Sequence, residues 1–197
     1  MRKIFARYAI TSSTTDVEII ETPKDAKYFK HVANILLLTN QNALEAMQNE
    51  AARRGYTAII VNDRFTGEAY DIAHSIMEKL HGAPEKTVLL YAGESTVTLG
   101  AHSGTGGRNQ EIALAALQDI RADELILPFA SDGYDNTDHA GAIGDYMTRT
   151  HALAQDLLIG EYLDAHRAYD FFTVTGDALM TGYTGSNVSD LIIAIKN

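Results

Sequence analysis

One stretch of this sequence joins glycine to charge in a way that prepares a site for an anion. Gly104-Thr105-Gly106-Gly107-Arg108-Asn109-Gln110-Glu111 opens a segment whose apolar positions, Ile112, Leu114, Ala115, Ala116 and Leu117, predict a helix from about Arg108 to Gln118. Glycines at that point let the backbone bend tightly and approach a ligand, and the free N–H groups of a first helical turn, with the helix dipole, attract negative charge. Arg108 adds a planar fork of donors suited to carboxylate or phosphate. A plain glycine turn before a helix would read the same way. The stretch is neither a dinucleotide GxGxxG nor a Walker GxxxxGK[ST], since no lysine follows the glycines.

Three more loops carry chemistry-bearing residues. Ser131-Asp132-Gly133-Tyr134-Asp135-Asn136-Thr137-Asp138 places three aspartates at intervals of three. Asp132 and Asp135 could hold Mg²⁺, orient a substrate hydroxyl, or cap a helix, and spacing alone leaves all three open. The alternating ligands and closing glutamate of an EF-hand are missing. His139 beside them is either a general base or a packing residue. Thr181-Gly182-Tyr183-Thr184-Gly185-Ser186-Asn187-Val188-Ser189-Asp190 offers hydroxyls, an amide and successive N–H groups, as a phosphate-binding nest or as an ordinary turn. Gly93-Glu94-Ser95-Thr96 follows an apolar run, where an open sheet presents its ligand crevice, and a plain turn with a solvated glutamate is the alternative.

The elements that must position these loops alternate between strand and helix. The apolar runs Asn34–Leu38, Ala58–Val61, Thr87–Tyr91, Glu124–Ala130 and Leu191–Ile195 predict strands. Between them, Asn42 with Glu45 resembles a capping box. Ala43, Leu44, Met47 and Ala51 then share a helical face that Gly55 ends. Ala69, Ile72, Ala73, Ile76, Met77 and Leu80 have helical spacing, and a further helix is expected over about Thr148–Leu158. The alternation predicts an α/β fold, a three-layer sandwich with a mainly parallel, mixed sheet and helices on both faces. Residues 1–25 lack a sustained period, and Glu21-Thr-Pro-Lys24 is a turn signal, so they are expected to form an N-terminal extension or linker ahead of one domain over 26–197.

Composition narrows the partners. The formal net charge of −10, from 26 acidic against 16 basic residues, argues against a nucleic-acid or membrane-surface binder and requires a local cationic or amide site for an anionic ligand. The absence of cysteine removes thiolate nucleophiles and zinc-thiolate sites. No apolar run approaches a membrane span or a signal peptide, and the expected location is the cytoplasm.

Taken together and in order, the loops GESTV, GTGGRNQEIALAAL, SDGYDNTDHAGAIGD and TGYTGSNVSDL resemble the motifs of the MOFRL domain, the C-terminal part of class II glycerate kinases often labelled hydroxypyruvate reductases. ETPK and HVANILLLTNQNALEAMQNEAARRGY resemble the segment preceding that domain, so the likeness spans nearly the whole sequence. Where the family's third loop tends to read TDGxDGPTDAAGA, this chain lacks the Gly-Pro pair. It carries Tyr183 where proline is usual and Thr105 where lysine is common.

The resemblance implies ATP-dependent phosphorylation of D-glycerate in a cleft between this domain and a Rossmann-like N-terminal domain that carries a catalytic lysine and is not among these 197 residues. Carried over by motif, Arg108 would neutralise charge on the transferring phosphoryl group, and Asn109 and Glu111 would position the substrate or the arginine. Asp132 and Asp135 would be the carboxylates for Mg²⁺ or the hydroxyl. Glu94, Ser95, Gly106 and Gly107 would contribute to binding substrate or phosphate, and Thr184, Gly185, Ser186 and Asn187 would complete the polar wall. The implied cofactors are ATP and Mg²⁺, and the implied partners a small anionic substrate with a Rossmann-like chain or a second copy. A non-catalytic anion-binding or regulatory module is the other class. A reductase is disfavoured by the missing dinucleotide fingerprint.

Overall fold

The computed structural model describes residues 7, 22–100 and 103–197. The chain divides into two units, residues 1–37 and 38–197. Most of residues 1–25, and with them the expected extension, lie outside the described residues. In the first unit a short 3-10 turn, Ala26–Phe29, is capped by Asp25, whose carboxylate accepts from the Lys27 N–H at 2.9 Å. The strand expected at Asn34–Leu38 does not form, and Ile35, Leu36 and Leu37 are 84, 86 and 91% exposed. A strand needs a neighbour for its backbone hydrogen bonds, and among the described residues none pairs with this run.

The second unit is an α/β sandwich. Its elements are α1 (Asn40–Arg53), β1 (Thr57–Glu68), α2 (Ala69–His81), β2 (Thr87–Thr96), α3 (Arg108–Ala116) and β3 (Glu124–Ala130). Two short strands, β4 (Gly141–Ala142) and β5 (Gly144–Asp145), lead to α4 (Tyr146–Ala154), α5 (Ile159–Asp164) and α6 (Ala168–Thr175), then β6 (Ala178–Leu179) and β7 (Asp190–Lys196). The helix expected over 148–158 starts two residues earlier, because Asp145 caps it by accepting from the Thr148 N–H at 2.8 Å. The α1 cap also lies upstream of the expected Asn42 and Glu45 pair: Thr39 is the N-cap, and its N–H donates to Asn42 Oδ1 at 3.0 Å.

The sheet order is β1-β2-β7-β3-β4-β6, with β5 also on β3. β1 and β2 pair in parallel, and β7 inserts antiparallel to both β2 and β3, so that β1, β2 and β3 run in one direction and the sheet is mixed. Strand alternation divides the core. Val88, Leu90, Ala92 and Leu191 face Leu44 and Ala51 of α1. Leu89, Tyr91, Ile126, Ile192 and Ala194 face the other layer, where Ile76, Met77, Ile112, Leu114, Phe171 and Phe172 pack. Helices therefore cover both faces, and each fully buried leucine or isoleucine there stabilises by about 1.5–3 kcal/mol.

The register sets the site. Asp190, the first residue of β7, lies opposite Gly93 on β2 and opposite Ala130 on β3. The far ends of the two parallel-running strands thus meet the start of β7 in one row, and the four loops leave from that row.

Candidate functional site

The loops are tied to one another by hydrogen bonds. Ser189 Oγ donates to the Gly93 carbonyl at 2.7 Å, and the Val188 N–H donates to Ser131 Oγ at 2.8 Å. Asn136 Nδ2 donates to the Gly106 carbonyl at 3.0 Å, and Thr184 Oγ1 to the Ser131 carbonyl at 2.5 Å. Gly93–Thr96 is no turn. It is the end of β2, with Glu94 opposite Thr66 on β1.

A cavity of about 560 Å³ opens between the end of β2, the Gly104–Glu111 stretch and the Ser131–Asp138 loop. Of the residues singled out in the sequence, Ser95, Gly106, Gly107, Arg108, Glu111 and Asp135 line it. Asp132, Thr184, Gly185, Ser186 and Asn187 do not. They are held against one another instead, with Thr184 N–H on the Asp132 carbonyl at 3.1 Å and Asn187 Nδ2 on Asp132 Oδ2 at 3.3 Å. Asn109 is fully buried beneath the cavity, and Glu94 reaches it through Arg108.

Arg108 is the cation of the site. Its Nη2 lies 3.1 Å from Asp190 Oδ2, and its Nη1 lies 3.5 Å from Glu94 Oε2 and 3.4 Å from the Ser95 carbonyl. Asp190 is buried and Glu94 exposed, so Nη2 rests on a buried carboxylate while Nη1 is held by an exposed one and by the Ser95 carbonyl. Burial pushes the Asp190 carboxyl up to about 6, against the lowering effects of the Arg108 charge and the Asn109 amide. The Asp190–Arg108 contact is an ion pair without hydrogen-bond alignment, and Asp190 Oδ2 has no other donor. Ser95 Oγ and Asn109 Oδ1 are also buried without a partner. Ser95 lines the cavity, but its hydroxyl is buried within the protein.

Asp135 departs from its expected role. Its Oδ1 accepts from Asn109 N–H at 3.2 Å and Asn109 Nδ2 at 3.1 Å, and its Oδ2 accepts from Gln110 N–H at 2.8 Å and Gln110 Nε2 at 3.3 Å. Both oxygens are occupied, which leaves no lone pair for Mg²⁺ or a hydroxyl. The anion at the N-terminus of α3 is therefore Asp135 itself, and the expected helix-end site for a ligand is filled from within. Of the three roles open to these aspartates, capping is the one Asp135 performs. Burial raises its pKa, and the donors from Gln110 and Asn109 oppose the shift. Gly107 is required by this arrangement, because a Cβ there would fall on the Asp135 carbonyl and carboxylate. Asp132 keeps its carboxylate on Tyr134 N–H and the Asn187 amide. Among the described residues no group of three histidine, aspartate or glutamate side chains could hold a metal ion.

Opposite Arg108, Glu111 Oε1 lies 2.9 Å from His166 Nδ1, and both line the cavity. Burial raises the Glu111 pKa, and the His166 contact opposes it. His166 was not visible as a site residue, since it comes from the α5–α6 connection, where it adopts φ +50°. Asp190 was missed because it reads as the last letter of a turn. His139 packs: it is buried, stacks on Tyr169 at 4.3 Å, and its Nδ1 lies 3.2 Å from Gln110 Oε1. Burial lowers its pKa, against the charges of Asp138 and Asp135.

Residues 87–190 match the model of the MOFRL family. The chain is 36% identical over 187 residues to a glycerate 2-kinase of Pyrococcus horikoshii, covering 90% of this chain and 42% of that protein. It is 32% identical over 208 residues to a D-glycerate 2-kinase of Thermotoga maritima, covering 98% and 48%. The crystal structure of a glycerate kinase from Thermotoga maritima superposes with a TM-score of 0.78 at 27% identity, over the whole of this chain and 49% of that one. The chain thus spans less than half the length of these relatives. No described helix is long and apolar enough to cross a membrane. With the family model matching over half of it, and with sequence and structure agreeing over most of its length, the chain belongs to the MOFRL family.

Proposed function

We propose that this chain forms the Arg108 wall of a glycerate 2-kinase phosphoryl-transfer site, which a Rossmann-like N-terminal domain or partner chain completes. The observation that carries the reading is the Arg108 guanidinium at the cavity, backed by buried Asp190 and held on its other nitrogen by exposed Glu94 and the Ser95 carbonyl. Phosphoryl transfer needs positioning and charge stabilisation on several oxygens, and one such cation contributes about 10³ to 10⁵ in rate. In this reading Arg108 neutralises the transferring group, and ATP brings Mg²⁺, which neutralises charge between phosphates when bound.

The charge balance favours an incomplete kinase wall over a self-sufficient anion module. Around Arg108 stand Glu94, Glu111, Asp135 and Asp190, and the α3 N-terminus is already capped by Asp135. An anion of several charges requires further cations, which the relatives' additional length would supply. The test is calorimetry of ATP-Mg²⁺, D-glycerate and 2-phosphoglycerate with this chain, then kinase assays after adding the N-terminal portion of a relative. Phosphorylation that appears only with that portion supports the proposal. Turnover by this chain without it would show that a second copy completes the site. Failure of both to turn over, with anion binding retained, would favour the regulatory module.

A further inference from the structure

The two carboxylates on Arg108 differ in a way that charge alone does not explain. Asp190 is fixed by backbone pairing on both sides, to Gly93 and to Ala130, and its side chain is only 6% exposed. Glu94 ends on the exposed side of β2 with its side chain 65% exposed, and its distance to Arg108 is longer, 3.5 Å against 3.1 Å. An ion pair in water contributes little and exchanges readily, whereas a buried carboxylate is costly to desolvate and holds its partner in one place. The upward shift of the Asp190 carboxyl marks that cost. Among the described residues, Asp135, Glu94 and Asn109 are the other charged or polar side chains acting on Asp190, and Arg108 is its countercharge.

We infer that Asp190 is the positioning residue for Arg108, while Glu94 is a displaceable stand-in that holds the outer guanidinium nitrogen until the anionic group of the ligand replaces it. The arrangement rests on the reading of Arg108 as the ligand-binding cation, and it adds a division of labour. The inner nitrogen is committed to the fold, and the outer one, which also donates to the Ser95 carbonyl at 3.4 Å, is kept in the geometry of an occupied site by a side chain that can swing into water. Ligand exchange then replaces one carboxylate by another anion at Nη1, with no net creation of an unpaired guanidinium.

Both Asp190→Asn and Glu94→Gln remove one negative charge beside Arg108, so electrostatics alone predicts tighter anion binding in each. Positioning and displacement predict opposite signs. With inorganic phosphate as the probe, Glu94→Gln should tighten binding about three- to tenfold and Asp190→Asn should weaken it about tenfold. Tightening in both variants, or weakening in both, overturns the inference. A second measurement needs no ligand: in ¹⁵N spectra at low temperature the Arg108 guanidinium should rotate slowly in the wild-type chain and in Glu94→Gln, and rapidly in Asp190→Asn. Should Asp190→Asn fail to fold, rapid rotation in the wild-type protein is by itself sufficient to reject the inference. Loss of kinase activity in the reconstituted enzyme would sink the kinase reading and leave this measurement untouched.

Discussion

The carboxylate of Asp135 sits on the backbone N–H of Gln110 at 2.8 Å, so the helix that carries Arg108 is capped from a loop 25 residues away in sequence. That bond turns the third motif into a support of the second.

Removing it should be felt as stability. Asp135→Ala leaves buried N–H donors on Asn109 and Gln110 unpaired and should cost about 2–4 kcal/mol in urea denaturation. Asp135→Asn turns an NH₂ toward those same donors and should cost about 1–3 kcal/mol. A variant as stable as the parent would mean that the cap contributes nothing.

Gly107→Ala should be at least as damaging. Its Cβ would meet the Asp135 backbone and carboxylate, which cannot move without uncapping α3. A loss above about 3 kcal/mol or insoluble expression is expected, because steric conflict with backbone is among the few routes to large effects. Gly185→Ala, where no atom stands within 4 Å but φ is +77°, should cost only about 1 kcal/mol.

Asp190 gives stability a pH dependence whose sign follows from its raised pKa. With the folded value about 6 and the unfolded value near 3.9, the folded state holds more protons in between. Its contribution is greatest below the unfolded pKa and is lost as pH rises through 6. Asp190→Asn should remove that slope, and should gain on the parent by on the order of 2 kcal/mol between pH 4.5 and pH 7.5. Denaturation curves at the two pH values check this. A constant difference between variant and parent would contradict it.

Arg108→Ala should abolish phosphate binding, measured by calorimetry, and should also destabilise the fold by about 1 kcal/mol at pH 7.5. A half-exposed arginine at a helix start would ordinarily cost less, but this one is the countercharge of buried Asp190. The penalty should shrink at pH 4.5, where Asp190 is protonated.

The exposed run Ile35-Leu36-Leu37 should govern association rather than folding. Replacing Leu36 and Leu37 by Asn should leave the urea midpoint within experimental scatter and lower light scattering at high concentration, since contiguous exposed apolar side chains promote contact between chains. A large drop in the midpoint would place the run in the folded core.

Much of the frame was legible in the sequence because it depends on local periodicity. The apolar run Thr87–Tyr91 predicts β2 as a strand covered on both faces, and the spacing of Ala69, Ala73, Ile76, Met77 and Leu80 makes α2. The four motif loops were recognisable by wording and order. The run Asn34–Leu38 predicts a strand that does not form, because apolar content measures the tendency to be covered and says nothing about whether a neighbour is present.

By itself, then, the sequence determined the family, the layered α/β architecture and the candidacy of Arg108, since each follows from residue types within a short window. The tertiary structure alone decided which carboxylate does what. Asp135 and Asp190 lie 27 and 82 residues beyond Arg108, and only the insertion of β7 between β2 and β3 brings Asp190 to its guanidinium while the third loop folds Asp135 under α3. A carboxylate's role depends on the donors around it and on its distance from water, and neither is written in the spacing of aspartates.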